Sequence, residues 1–159
     1  MNACAEFTAP APGQPLLRAL LRGALRLLFR GLVRPPMPIA GQRLVLRLLT
    51  AATLTPGGVR RSAGELGGRP CEWHRPDQAE EGVLLYLHGG AYLIGAPATH
   101  RAICANLARR ARLVVCALDY RLAPEHPYPA ACEDALAAYR KLLRQGHRPE
   151  RIFIGGDSA

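Results

Sequence analysis

Three short runs in this chain, Val83–Leu87 and residues 113–118 and 152–154, are apolar from end to end rather than alternating with polar residues. A strand with one face in water alternates. An uninterrupted run is the mark of a strand covered on both faces, as in a parallel sheet packed between helices. Two helical segments are expected between the runs. Residues 100–111 place Ile103, Leu107 and Ala108 on one face, with Thr99 in N-cap position, and Ala130–Arg144 carry Leu136, Tyr139, Leu142 and Leu143, with Gly146 set to end the helix. Upstream, Val59–Leu66 and residues 69–75 flank Gly67-Gly68 and predict a β-hairpin. The order strand, helix, strand, helix, strand predicts an α/β fold with right-handed crossovers.

At 159 residues and 49% hydrophobic content, the chain is suited to a folded domain that needs no disulfide staples. Its 16 glycines and 14 prolines follow no period, which excludes collagen-like and low-complexity readings. The five cysteines (Cys4, Cys71, Cys104, Cys116, Cys132) are odd in number and form no Cys-x-x-Cys pair. A structural zinc site or disulfide framework is therefore not expected; reduced thiols in the cytoplasm are, with Cys104 and Cys116 buried in apolar runs.

The formal charge of +9 is concentrated toward the N-terminus. Arg18, Arg22, Arg26, Arg30 and Arg34 recur every four residues among leucines, so residues 16–33 predict a basic amphipathic helix. The arginines interrupt it too often for a bilayer span or the apolar core of a cleaved signal peptide. Its leucines either pack on the rest of the protein, the reading preferred here, or lie on a membrane surface. No aromatic residues interleave with the basic stripe, so nucleic acid is not expected as a partner. Pro35, Pro36 and Pro38 close the segment, and a further apolar stretch, residues 44–54, precedes the Pro56-Gly57-Gly58 break. The expected division is a helical segment over residues 1–55 and a core over residues 56–159.

Chemistry-bearing turns follow the first and last apolar runs, where open α/β sheets place their sites. His88-Gly89-Gly90-Ala91 follows the first, and Gly156-Asp157-Ser158-Ala159 follows the last. Glycine two residues before a serine at a tight strand-to-helix turn is the start of a nucleophile elbow. The middle run leads into Asp119-Tyr120-Arg121-Leu122-Ala123-Pro124-Glu125-His126-Pro127. These three segments together resemble the hormone-sensitive-lipase-like esterases of the α/β-hydrolase fold, over residues 83–159 and more loosely from residue 59.

The resemblance implies the N-terminal part of a mostly parallel hydrolase sheet, with residues 1–55 belonging to a cap. It also implies a serine carboxylesterase that cleaves short- to medium-chain acyl esters through an acyl-enzyme, with small-molecule ester substrates and no metal or organic cofactor. Ser158 is then the nucleophile, and the N–H groups of Gly89, Gly90, Ala91 and Ala159 form the oxyanion hole. His88 orders that turn, while Tyr120, Arg121 and Glu125 brace it, Arg121 and Glu125 as a pair. Tyr92 and Leu93 are expected to face the site. Ala91 stands where the family usually has a third glycine, and the turn is expected to survive if Ala91 keeps an ordinary negative φ. Asp134 is expected to be a solvated or helix-bracing carboxylate rather than a triad acid. In this fold the acid and histidine follow the serine, whereas His74, His88, His100, His126 and His147 all precede Ser158. The chain is therefore read as the first half of a longer esterase, with little turnover alone and an aggregation-prone open edge at its last strand. The alternative is a non-catalytic module that keeps half of the fold and binds a membrane or partner through its basic helix.

Overall fold

In the computed structural model the three apolar runs become neighbours. β3 (Val83–Leu87) lies between β4 (Val114–Leu118) and β5 (Ile152–Gly156), parallel to both, with Val83 opposite Val114 on one side and Ile152 on the other. The hairpin β1 (Val59–Leu66) and β2 (Arg69–Pro76) adds antiparallel to β4, so the five-stranded order is β1-β2-β4-β3-β5. β2 alone opposes the common strand direction. Around the sheet lie the helices α1 (Ile39–Ala51), α2 (Arg101–Ala111) and α3 (Ala130–Arg144).

The structure describes residues 19–20, 22–23, 26–27 and 37–158, which fall into two units, Met1–Pro38 and Ile39–Ala159. In the first unit residues 19–20, 22–23 and 26–27 are helical; the rest of the helix expected over residues 16–33 lies outside the described residues, as does Ala159. The second unit takes in α1, which the sequence reading grouped with the N-terminal segment. No helix among the described residues is long and apolar enough to cross a membrane.

β3 and β4 are covered on both faces, which explains their unbroken apolar runs. On one face Val83, Leu85, Cys116, Leu118 and Ile152 pack with Ala138 and Leu142 of α3. On the other, Tyr86, Val115 and Ala117 pack with Cys104 and Ala108 of α2. Cys104 and Cys116 are both fully buried, as expected of core thiols.

The helix faces differ from expectation in an instructive way. Cys104, Ala105 and Ala108 of α2 meet the sheet, while Ile103 and Leu107 are 44% and 37% exposed. In α3 the buried stripe is Ala130, Asp134, Ala138 and Leu142, and Leu136 is 47% exposed. Small side chains let a helix lie close to a flat sheet, and the larger apolar residues are then displaced to its flanks. Thr99 does not cap α2. Its hydroxyl donates to Ala96 O at 2.8 Å and accepts from Ala96 N at 3.0 Å, closing the Pro97–Thr99 turn, and His100 holds the N-cap position. Gly146, at φ +93°, follows the end of α3 as expected. Beyond β5 the sheet edge leaves Phe153 and Ile154 44% and 60% exposed.

Two histidines are fully enclosed, His74 on β2 and His88 after β3. Burial pushes both imidazoles below their ordinary value; for His74 it outweighs the nearby Glu72, aided by Arg61 and Arg101. Unfolded histidines take up a proton near pH ~6.5, and these folded ones resist it. Stability from keeping them neutral is therefore complete above about pH 6.5 and falls as the pH drops below it. Glu72, Asp134 and Asp157 are held below the usual carboxylate range, so their contribution is lost only at more acid pH. Urea midpoints are expected to decline between pH 7 and pH 5, with a shallower decline in His74→Gln.

Candidate active site

The β3–β5 register sets Leu87 opposite Gly156, so the turns that follow the two strands emerge side by side. They touch. A Cβ placed on Gly89 would lie 2.8 Å from Ser158 Cβ and 2.8 Å from Asp157 Oδ2, a gap that only glycine fits.

Asp157 fastens the two turns together. Its Oδ1 accepts from the Tyr86 hydroxyl at 2.7 Å and from the Gly89 N–H at 2.8 Å, and its Oδ2 lies 3.4 Å from His100 Nε2. Burial alone would raise this carboxyl; the bonds from Tyr86 and Gly89 outweigh it and hold the group below the usual range. Burial and the same carboxylate push the Tyr86 phenol up. Sequence reasoning passed over Asp157, whose only signal was its place between Gly156 and Ser158. It also assigned the Gly89 N–H to the oxyanion hole. That N–H is committed to Asp157, which leaves Gly90 and Ala91 as the candidate donors of this turn.

His88 is 2% exposed, stacked between Tyr120 (centroids 4.4 Å apart) and His100 (5.4 Å). Its Nδ1 sits 3.0 Å from Gly89 O; a carbonyl only accepts, so Nδ1 carries the ring proton. The Tyr120 hydroxyl donates to the His88 carbonyl. Ring and backbone are thereby both held. Gly95, at φ +97°, passes so close that a Cβ would meet His88 Nδ1 and Gly89 O at 2.5 Å.

Between these contacts the turn adopts unusual backbone. The N–H groups of Leu93 and Ile94 both donate to Gly90 O at 3.0 Å, and Gly90 has φ +129°. Ala91 and Tyr92 have φ of 54° and 57°. The ordinary negative φ expected at Ala91 is not taken: the alanine follows the left-handed path a glycine would take, at a cost of about 1–2 kcal/mol.

The expected Arg121–Glu125 pair does not form. Arg121 turns to α3, where its Nε donates to both Asp134 oxygens at 3.0 Å and its backbone N–H donates to Asp134 Oδ2 at 2.8 Å. Arg69 Nε approaches the same carboxylate at 3.4 Å. Asp134 is thus a buried brace, not a solvated group. Glu125 pairs instead with Arg43 of α1, whose guanidinium depresses its carboxyl to about 2. Arg43 and Glu125 are 82 positions apart, so local pattern held no sign of the pair.

Ser158 borders a pocket of about 90 Å³ together with Leu87, His88, Tyr92 and Tyr120, closed on the α3 side by Ala131, Cys132 and Ala135. Tyr92 faces it as expected; Leu93 is not among its walls. The three α3 residues were not foreseen, because their helix was read only for its core face.

The profile of the α/β hydrolase fold matches residues 84–159. The chain is similar to an acetyl-hydrolase of Streptomyces hygroscopicus, with 50% identity over 94 residues, 59% of this chain and 31% of that protein. It is also similar to the esterase LipI of Mycobacterium tuberculosis, with 50% identity over 88 residues, 53% of this chain and 28% of that protein. Among solved structures, a hormone-sensitive lipase from a metagenome library shares 38% identity at a TM-score of 0.79, covering 87% of this chain and 47% of that one. An esterase from the bacterial hormone-sensitive lipase family shares 36% identity at 0.79, covering 96% and 49%. The chain spans about half the length of these solved relatives. The shared sheet, the turns carried at its strand ends and the sequence identity across them give this chain the α/β-hydrolase fold and make it similar to the hormone-sensitive-lipase-like esterases.

Proposed function

We propose that the chain supplies the nucleophile and the oxyanion turn of a serine carboxylesterase acting on short- to medium-chain acyl esters. The observation that carries this reading is the contact between Ser158 and Gly89 at the ends of two adjacent parallel strands, beside a pocket the size of a small acyl group. The Ser158 oxygen attacks the ester carbonyl, the alcohol leaves, and water then releases the acid from the acyl-enzyme. Negative charge on the carbonyl oxygen is met by N–H groups of Gly90, Ala91 and Ala159. His88, gripped by Tyr120 and bonded to Gly89 O, holds the turn rather than taking the proton. A serine hydroxyl becomes a strong nucleophile only when a base takes its proton, and this fold draws that base and its acid from chain that follows the serine, so the test supplies both from a relative. Residues 1–55 serve as the cap segment of such an enzyme, and the free cysteines Cys71, Cys104, Cys116 and Cys132 suit a reducing compartment such as the cytoplasm.

The test continues this chain with the C-terminal part of the Streptomyces hygroscopicus acetyl-hydrolase. The folded chimaera is expected to hydrolyse p-nitrophenyl acetate and to be inactivated by a p-nitrophenyl phosphonate, with the adduct mapped by mass spectrometry to the peptide containing Ser158. The chain alone should stay at buffer background. An adduct on another residue, or a folded chimaera without turnover, would overturn the reading.

A further inference from the structure

Helix α1 carries no buried residue, and its Leu44, Leu48 and Leu49 are 58%, 65% and 41% exposed. Its Ile39, Val45 and Leu46 are only half-buried. One guanidinium adds four hydrogen bonds to that apolar contact. Arg43 Nε donates to Leu93 O at 2.8 Å, Nη2 donates to Ala123 O at 2.9 Å, and Nη1 and Nη2 grip the Glu125 carboxylate at 2.8 and 2.9 Å. The Ala123 N–H in turn donates to Tyr92 O at 2.8 Å, so the two loops that Arg43 reaches are also bonded to each other.

Leu93 is the far end of the turn that begins at Gly89. Left-handed alanine and tyrosine persist only where the surroundings over-determine them. Asp157 grips the first residue of this turn, at the Gly89 N–H. We propose that Arg43 is the matching positioning residue at the other end: by gripping the Leu93 carbonyl it keeps Ala91 and Tyr92 left-handed and their turn aimed at Ser158. The planar fork is essential, because a point charge satisfies Glu125 but not two carbonyls at the same time. The catalytic consequence rests on the proposed esterase reading; the geometric one does not.

The experiment compares Arg43→Lys, Arg43→Met and Glu125→Gln. Hydrogen exchange followed by mass spectrometry on the full chain reads peptides covering residues 89–95, with residues 59–76 as internal reference. Arg43→Lys and Arg43→Met are both expected to speed exchange over 89–95 about tenfold, the loss of roughly one charge-assisted hydrogen bond, and to leave the hairpin unchanged. Glu125→Gln keeps both carbonyl bonds and should change 89–95 by less than threefold. Unchanged exchange in Arg43→Lys, or equal acceleration in the hairpin, overturns the proposal whatever the enzyme does. In the chimaera, Arg43→Lys is expected to lower kcat about tenfold with KM within twofold. Faster exchange at 89–95 with kcat intact would show that the turn is positioned by Arg43 without consequence for catalysis, which overturns the catalytic half of the proposal and leaves the esterase reading to the Ser158 adduct.

Discussion

Ser158→Ala in the chimaera is expected to lower kcat for p-nitrophenyl acetate by about 10⁴- to 10⁶-fold, the range seen when a serine hydrolase loses a triad member. His88 cannot take over. The pocket walls beside Ser158 are aliphatic or aromatic apart from His88 and Cys132, and His88 is enclosed with its Nδ1 proton committed to Gly89 O. The residual rate is informative as well. An intact turn should still favour a carbonyl oxygen that gains charge, so the variant should remain above buffer, and KM should change little, since a hydroxyl-to-hydrogen change leaves the pocket walls in place. Steady-state kinetics on the purified variant would check both numbers. A loss of less than tenfold would place the nucleophile elsewhere.

A large loss of stability is expected for Gly67→Ala. Gly67 sits in the β1–β2 turn at φ +64°, and a Cβ there would lie 2.5 Å from Ala138 N and 2.6 Å from Ala137 C. The obstacle is helix backbone, which cannot rotate away. Gly67→Ala must add a left-handed alanine, about 1–2 kcal/mol, to displacement of α3 from the hairpin, about 1–3 kcal/mol. The sum, about 2–5 kcal/mol, is a large part of the 5–15 kcal/mol typical of a domain. Gly68 is the control. It shares the turn and a positive φ of +82°, but a Cβ there meets nothing within 4 Å. Gly68→Ala should therefore show only the backbone cost. Urea titrations of the two variants separate the contributions, and equal losses would mean that the approach of α3 to the turn is looser than described.

Much of this could be read from residue order. Apolar runs with both faces covered require helices above and below them, so the strands at Val83–Leu87, Val114–Leu118 and Ile152–Gly156 and the helices between them were legible, as were the two glycine-bearing turns at the strand ends. Periodicity reports how a segment meets solvent and core, a local property of the chain. It does not report which distant group a polar side chain will meet. Asp157 reaching Tyr86 and Gly89, Arg121 choosing Asp134 over Glu125, and Arg43 crossing to Glu125 are choices among partners of similar chemistry.

Those choices depend on distances that exist only once β5 lies against β3 and α1 lies over the loops. Ala91 makes the same point for the backbone. Its methyl group argues locally for negative φ, and contacts on either side of it hold the turn left-handed. Local preference is about 1–2 kcal/mol per residue, and several hydrogen bonds acting at both ends of a short turn exceed it. Residue order thus settled which elements form and where the glycine-bearing turns emerge, because burial is dictated segment by segment; the pairing of charges and the shape of the turn over residues 89–94 were settled by packing, because they are decided between segments.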